Sequence, residues 1–374
     1  SSPGPSVGPR RVGGQEIHVK TVLITGNMGY VGPSVVRQLR QSYPRARLVG
    51  LDSGLFAHCL TNAKTLPETR IDEQHFMDVR DIPASLVKGV DAVVHLAAIS
   101  NDVMGQIDET ITLNVNYRAG VRLAKLAKKA GVRNFVFASS CSVYGSIGDA
   151  AKNEQSEVNP LTAYARSKVM TEEALKPLAA ESFIITSLRF ATACGMSERV
   201  RLDLVLNDFV AGALLRKAIT VLSDGTPWRP LIHIQDMARA IDWAVTREAK
   251  NGGVCVVCNT GSNEWNYQVK DLAEAVSLEF PGSEVSINTS APPDKRSYRV
   301  SFDYFKSLAP TPHQPTVDLK SAVLELKHGL EGMRLNTNYR HSTFMRIRAL
   351  TELRDQGLLD ADMRWKQETA GGLM

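Results

Sequence analysis

Cysteine is scarce in this chain of 374 residues, and the five present are an odd number at irregular spacings. They do not make a disulfide framework, which points to a reducing compartment. Long apolar runs are missing too: no stretch approaches the roughly 18 apolar residues of a membrane span. The N-terminus lacks the positive-then-apolar layout of a secretory leader. The expected location is therefore the cytoplasm, with no membrane partner. There is no basic stripe either. The net charge of +5 is mild and its Lys and Arg residues are scattered, so nucleic acid is not an expected partner. What the chain does have is bulk, with 43% hydrophobic and 22% charged side chains. That is enough for one large α/β unit with a substrate-binding annex.

Two of the cysteines form a CxxC, Val254-Cys-Val-Val-Cys258. A redox pair belongs at a helix N-terminus and a zinc site needs a second ligand pair. This β-branched run reads instead as a buried strand, and no metal is expected.

Residues 1–17 are rich in Ser, Gly and Pro with almost no large apolar groups, so a flexible segment is expected there. From residue 18 onward short apolar strands alternate with amphipathic helical stretches. The strands are Thr21-Val-Leu-Ile-Thr25, Arg47-Leu-Val-Gly-Leu51, Ala92-Val-Val-His-Leu96, Asn134-Phe-Val-Phe-Ala138 and Phe183-Ile-Ile-Thr-Ser-Leu188. That rhythm predicts an α/β fold with a Rossmann-type doubly wound parallel sheet over 18–190. Two long helices, 108–129 and 162–180, lie between the later strands. Residues 191–374 break into shorter elements with more Pro. They read as a smaller α/β substrate-binding lobe with some returning sheet elements and a C-terminal extension.

The first strand leads into Gly26-Asn-Met-Gly29-Tyr-Val-Gly32, a GxxGxxG opening an apolar helix with Pro33 in its first turn. Glycines there permit a tight turn and let backbone N–H groups approach a pyrophosphate. The cofactor loop is thus Gly26, Asn27, Met28, Gly29, Tyr30, Val31 and Gly32; its bland alternative is an ordinary loop. The second strand ends at Asp52, about twenty positions on, where a dinucleotide fold places the carboxylate that accepts the ribose hydroxyls. A carboxylate there repels a 2′-phosphate, and no Arg or Lys sits in the glycine loop, so NAD is favoured over NADP. The alternative is an exposed turn aspartate. Asp78 and Val79 follow a short strand and are placed beside the adenine; Leu96, Ala97 and Ala98 supply small residues where a cofactor must lie close to the sheet edge.

Tyr164-Ala-Arg-Ser-Lys168 sets a phenol and an ammonium four residues apart, on one face of a helix. A tyrosine is a poor base at neutral pH, but a lysine charge close by favours phenolate and makes it a usable proton acceptor. The pair lies one loop beyond Phe137-Ala-Ser-Ser-Cys-Ser-Val-Tyr-Gly145, which leaves the ligand-binding end of a parallel strand.

Together these motifs resemble the extended short-chain dehydrogenase/reductases, the family of UDP-galactose 4-epimerase and the sugar 4,6-dehydratases, over roughly 20–308. GxxGxxG, Asp52, Asp78-Val79, His95-Leu-Ala-Ala98, Asn114-Val115, Ser-x-x-Val-Tyr-Gly and Tyr-x-x-Ser-Lys occur in order. The resemblance implies NAD as cofactor and a nucleoside-diphosphate sugar as substrate. It implies that Ser140 hydrogen-bonds the sugar hydroxyl beside Tyr164, with Ser139 and Ser142 as alternatives. Lys168 would bind the nicotinamide ribose, and Ser53, Asn114 and Ser139 would join the cofactor contacts. Arg229, in Asp224-Gly-Thr-Pro-Trp-Arg-Pro-Leu-Ile-His233, falls where the family grips a nucleotide diphosphate; Arg296 falls at the later phosphate contact. Asn207 would hold the diphosphate or the sugar. The family's usual substrate-contacting Asn is replaced here by Thr192. By the same likeness, the two long helices suit a four-helix homodimer interface.

The family's dehydratases carry an Asp-Glu pair after the catalytic Ser or Thr, and its decarboxylases usually a glutamate at the second of those positions. Cys141 and Ser142 stand there. Epimerisation, which needs only Ser, Tyr, Lys and a retained NAD, has the fewest missing parts, with C4 the carbon the resemblance favours. A ketosugar reductase or sugar dehydrogenase with exchangeable cofactor is the alternative, and a non-catalytic dinucleotide sensor a remote one. The tail beyond about residue 310 has the length to cap the site or join an interface.

Overall fold

The computed structural model describes residues 11–12, 15–16, 19–61, 63–100, 108–145, 150–292 and 297–366. The segment expected to be flexible, 1–17, falls mostly outside these. Within it, Arg11–Val12 pairs antiparallel with Gln15–Glu16.

The first half of the chain runs β1 (Thr21–Thr25), α1 (Gly32–Ser42), β2 (Arg47–Asp52), β3 (Glu73–Phe76) and β4 (Ala92–His95). It continues through α2 (Glu109–Leu113), a π-helical turn (Asn114–Arg118), α3 (Ala119–Lys129), β5 (Asn134–Ser140), α4 (Ala163–Leu175) and β6 (Ile184–Phe190). The second half contains β7 (Thr192–Cys194), α5 (Val205–Arg216), β8 (Ala218–Val221), β9 (Trp228–His233), α6 (Ile234–Val245) and β10 (Cys255–Thr260). Then come β11 (Asn266–Gln268), α7 (Val269–Leu278), β12 (Glu284–Ile287), α8 (Asp303–Leu308), α9 (Leu319–Glu331) and α10 (Arg346–Asp355).

Seven parallel strands form the main sheet in the order β10-β6-β5-β4-β1-β2-β3. The onward connections of the adjacent strands β1 and β4 run in opposite directions, toward β2 and toward β5. That reversal opens a crevice at the strands' C-terminal ends, where ligands bind in such sheets. Both faces are covered. Val22, Ile24 and Leu48 pack with α1 and α6 on one side, while Leu23, Val49 and Phe135 pack with Leu123 of α3 and Leu175 of α4 on the other. The alternation along each strand follows from the two-residue period of a pleated chain.

β10 carries the CxxC. Cys258 belongs to the first of these clusters and Cys255 packs against the second, so the two thiols lie on opposite faces of the sheet. Burial pushes the Cys258 thiol up to about 12, which keeps it protonated and inert. All five cysteines are free. Among the described residues no helix is long and apolar enough to cross a membrane.

The remaining strands build the second layer above the crevice. β9 pairs parallel with β7 and antiparallel with β11, and β8 pairs with β12. Each long helix begins on a side-chain cap: Asp108 accepts from Thr110 N at 2.6 Å before α2, and Thr162 accepts from Ala165 N at 3.1 Å before α4.

Candidate active site

One cavity of about 890 Å³ runs along the C-terminal edge of the sheet, from the glycine loop to Arg229. The loop is shaped by close approach. Gly26 has φ +76°, and a Cβ there would stand 2.6 Å from Ala97 N; a Cβ on Gly32 would stand 2.1 Å from Asn27 O. Only glycine fits either place. Gly26, Gly29, Tyr30, Val31 and Gly32 line the cavity, and the N-terminus of α1 opens there, as an anion site requires. Asn27 and Met28 do not line it. Asn27 is buried and donates to Gln74 Oε1 at 2.6 Å. Met28 lends only its backbone N–H, which donates to Asp52 Oδ2 at 3.0 Å.

Asp52 and Ser53 line the cavity beside this loop. Burial raises the Asp52 carboxyl above its ordinary range, although the amides of Gly54 and Met28 donate to it. Such a carboxyl is primed to accept hydroxyl donors in place of the water it has lost. Asp78 and Val79 also line the cavity. The Asp78 carboxyl is held low: burial works against the charge, but Arg80 overcomes it with bonds of 2.9 and 2.6 Å. Leu96, Ala97 and Ala98 complete this wall. A cradle only glycine fits, a helix N-terminus and a desolvated carboxyl together match what a dinucleotide needs.

Across the cavity, Ser139, Ser140, Ser142, Tyr164 and Lys168 converge. The three serines are not equivalent. Ser139 Oγ donates to Glu172 Oε1 at 2.5 Å and is committed there. Ser140 Oγ accepts from Ser142 N at 3.1 Å, capping the 3-10 turn Cys141–Tyr144, and meets Ser142 Oγ at 2.9 Å. Cys141 is 1% exposed with its Sγ 3.1 Å from Arg189 O, and burial raises its thiol far above neutrality. Lys168, 3% exposed, donates to Ala138 O at 2.6 Å, and its Nζ lies 5.3 Å from the Tyr164 ring centroid. Burial lowers its pKa to about 7, with Glu172 pulling the other way.

Sequence reasoning missed the support behind this pair. Glu172 accepts Arg189 Nε at 3.0 Å and Nη2 at 2.6 Å, and Arg189 Nη1 donates to Tyr144 Oη at 3.0 Å. The signal was available: Glu172 lies one helical turn beyond Lys168, as Lys168 lies one turn beyond Tyr164. His95 was singled out only as part of a motif. Burial and then the Lys168 charge lower its pKa to about 3, and its Nδ1 lies 2.7 Å from Thr25 Oγ1, so it is a neutral ring within the sheet.

Two expected contacts fall differently, and a third lies outside the described residues. Asn114 does not line the cavity; its Oδ1 accepts from Arg118 at 2.8 Å on the outer side of the helix. Asn116, two positions on, is buried and clamps Ile99 through N (2.8 Å) and O (3.0 Å). Asn207 is fully buried and also absent from the cavity wall. It accepts from Gly195 N at 3.1 Å and donates to Tyr30 Oη at 3.0 Å and Arg201 O at 2.8 Å, which fastens the glycine loop to the second layer. Arg296 lies outside the described residues.

Thr192 and Arg229 do line the cavity, from β7 and β9. So does Arg201, a group sequence reasoning did not single out, which makes a two-point pair with Asp203 at 2.9 and 3.0 Å and donates to Ser100 Oγ at 2.9 Å.

Comparison with known proteins identifies the family and the fold. A relative from Bacillus subtilis (strain 168), the uncharacterized UDP-glucose epimerase YtcB, is 30% identical over 231 residues, spanning 59% of this chain and 71% of that protein. UDP-glucuronic acid decarboxylase 6 of Arabidopsis thaliana is 24% identical over 283 residues, 74% of this chain and 79% of that one. The solved structure of MoeE5 in complex with UDP-glucuronic acid and NAD superposes with a TM-score of 0.70 at 24% identity, over 83% of this chain and 99% of that one. The family model that matches spans residues 22–261, from β1 through β10, and so takes in the glycine loop, the serine turn and the Tyr164–Lys168 helix. On that match the chain belongs to the NAD dependent epimerase/dehydratase family.

Proposed function

We propose that the chain is an NAD-dependent nucleotide-sugar epimerase acting at C4, with residues 18–190 holding the dinucleotide and residues 191–374 mainly the nucleotide sugar. The observation that carries this reading is the acid–base inventory of the cavity. Among the described residues four carboxylates line it, Asp52, Asp78, Asp203 and Asp208, and each is already engaged. Backbone amides hold Asp52, while Arg80, Arg201 and Arg340 hold the other three. Elimination of water needs a carboxyl placed to give and take protons, and the positions after Ser140 offer a buried thiol and a hydroxyl instead. Epimerisation asks only for one base, one hydroxyl partner and a retained cofactor.

Bound NAD supplies the hydride acceptor and donor that turns a sugar hydroxyl into a ketone and back with the opposite configuration. The chain's own residues do the rest. The Lys168 ammonium favours the Tyr164 phenolate, which takes the hydroxyl proton as the carbon is oxidised and returns it when the ketone is reduced. Ser140 and Ser142 hydrogen-bond the reacting oxygen, exchanging their mutual contact for the substrate. Arg229 pairs with the nucleotide diphosphate, a task that suits a planar fork of donors.

A homodimer in a reducing cytoplasm belongs to the same proposal. It is supported by the free thiols and by α2 and α4 lying side by side, joined by Arg166 to Glu109 at 2.7 Å, with Met170 exposed on α4.

The test is to denature purified protein and quantify the dinucleotide released, then to follow UDP-glucose and UDP-galactose by proton NMR without added cofactor. Near-stoichiometric NAD and interconversion at C4 are expected. An empty site, NADP, or turnover that consumes added cofactor would replace this reading with a reductase or dehydrogenase.

A further inference from the structure

The family match ends at residue 261, yet the chain past residue 344 returns to the cofactor end of the crevice. α10 has ten residues, too few to persist alone in water. Its apolar stripe, Ile347, Leu350 and Leu353, follows a three-residue spacing that faces one side. After Gly357 the chain folds back: Leu359 bridges Trp365, and Asp360 Oδ1 accepts from the N–H groups of Asp362 and Arg364, each at 2.9 Å.

This arm is fastened to loops at the edge of the main sheet. Trp365 Nε1 donates to Ser53 O at 2.6 Å, Arg80 Nη2 donates to Asp362 O at 2.9 Å, and Arg364 pairs with Asp81. Leu350, Leu353, Leu359 and Met363 are buried together with Ile111, against Leu55 and Phe56. Five arm residues, Met345, Arg346, Ile347, Leu350 and Met363, line the same cavity as Asp52, Ser53, Asp78 and Val79.

Arg346 is the unusual member. It is 2% exposed and sits 5.1 Å over the Phe56 ring. Its neighbours Arg199 and Arg201 each make a two-point pair with a carboxylate, Glu68 and Asp203. The hydrogen bonds of Arg346 go to carbonyls instead, Arg199 O at 2.6 Å and Thr343 O at 3.3 Å. Burial, helped by those neighbouring guanidinium groups, lowers its pKa to about 10, so it stays charged at neutral pH. Among the described residues no carboxylate bonds it directly, and a buried cation so placed is stabilised by an anion in the space it faces.

We infer that residues 345–366 form part of the dinucleotide site. Their apolar stripe walls the adenosine end of the cleft, and Arg346 supplies a cation for the cofactor diphosphate, so that the cofactor stays bound between turnovers. This rests on the retained-cofactor reading above, and it extends the site to a segment outside the family match.

Stopped-flow fluorescence of bound NADH chased with excess NAD tests it on the full chain without sugar. Arg346→Gln and the double latch variant Arg364→Ala/Trp365→Ala should each release NADH about 10-fold faster or more, the size of one lost charged hydrogen bond. Calorimetric affinity for UDP should stay unchanged. Equal release from wild type and both variants refutes the arm's role. A loss of UDP affinity with unchanged NADH release assigns Arg346 to the sugar nucleotide and also overturns it. Fast release from the wild type itself would instead count against the retained-cofactor reading. Should the variants fold poorly, hydrogen exchange over 346–366 in the wild-type chain decides: NAD should slow it, and indifference to NAD refutes the inference.

Discussion

Replacing Lys168 with methionine should make the NAD-free protein more stable while abolishing its activity. Methionine keeps most of the apolar length but removes a charge that burial opposes. The folded lysine titrates at about 7 against 10.5 for a free one, so folding weakens its hold on the proton. Between those values the unfolded chain binds more protons, and stability rises with pH. Relative to a side chain with no charge to bury, the wild type loses ~5 kcal/mol near pH 6 and ~2 kcal/mol at pH 9, at 1.36 kcal/mol per pKa unit. The lost bond to Ala138 O offsets about 1 kcal/mol of the gain. Urea unfolding of NAD-stripped Lys168→Met and wild type at pH 6, 7.5 and 9 reads the difference directly. The variant should lead by several kcal/mol at pH 6, and the lead should shrink steadily toward pH 9. A lead that does not change with pH, or a variant less stable at pH 6, would refute the claim that Lys168 is a strained cation kept for function.

Tyr164→Phe should retain NAD and fold normally but turn over about 10²–10⁴-fold more slowly; near-normal turnover in a coupled assay would remove the tyrosine from the chemistry. Glu172→Gln leaves the Arg189 guanidinium buried without its carboxylate and should destabilise the fold by about 3–5 kcal/mol, measured by urea midpoint. Arg229→Ala should raise KM for the nucleotide sugar about 10-fold with NAD content unchanged. Asn207→Ala should lower stability by about 1–3 kcal/mol and leave KM alone, because its partners are Gly195, Tyr30 and Arg201 rather than the cavity.

The sequence by itself determined the parts of this protein whose partners are neighbours along the chain. The glycine loop is a strand–turn–helix of seven residues, Tyr164 and Lys168 are one helical turn apart, and Asp52 closes the strand after the loop; in each case local geometry leaves one arrangement. The alternation of short apolar strands and helices likewise dictated the parallel sheet. Tertiary structure decided whatever depends on which way a side chain faces across a long separation. Two positions along a helix rotate a side chain by roughly 200°, enough to put Asn116 inside on Ile99 while Asn114 faces out. Asn207 had the right chemistry for a phosphate, but packing turned it toward the glycine loop. Glu172 meets Arg189, Arg201 reaches Ser100, and Trp365 reaches Ser53 from 312 residues away. No periodicity records such pairs, because only the packed layers bring them within bonding distance.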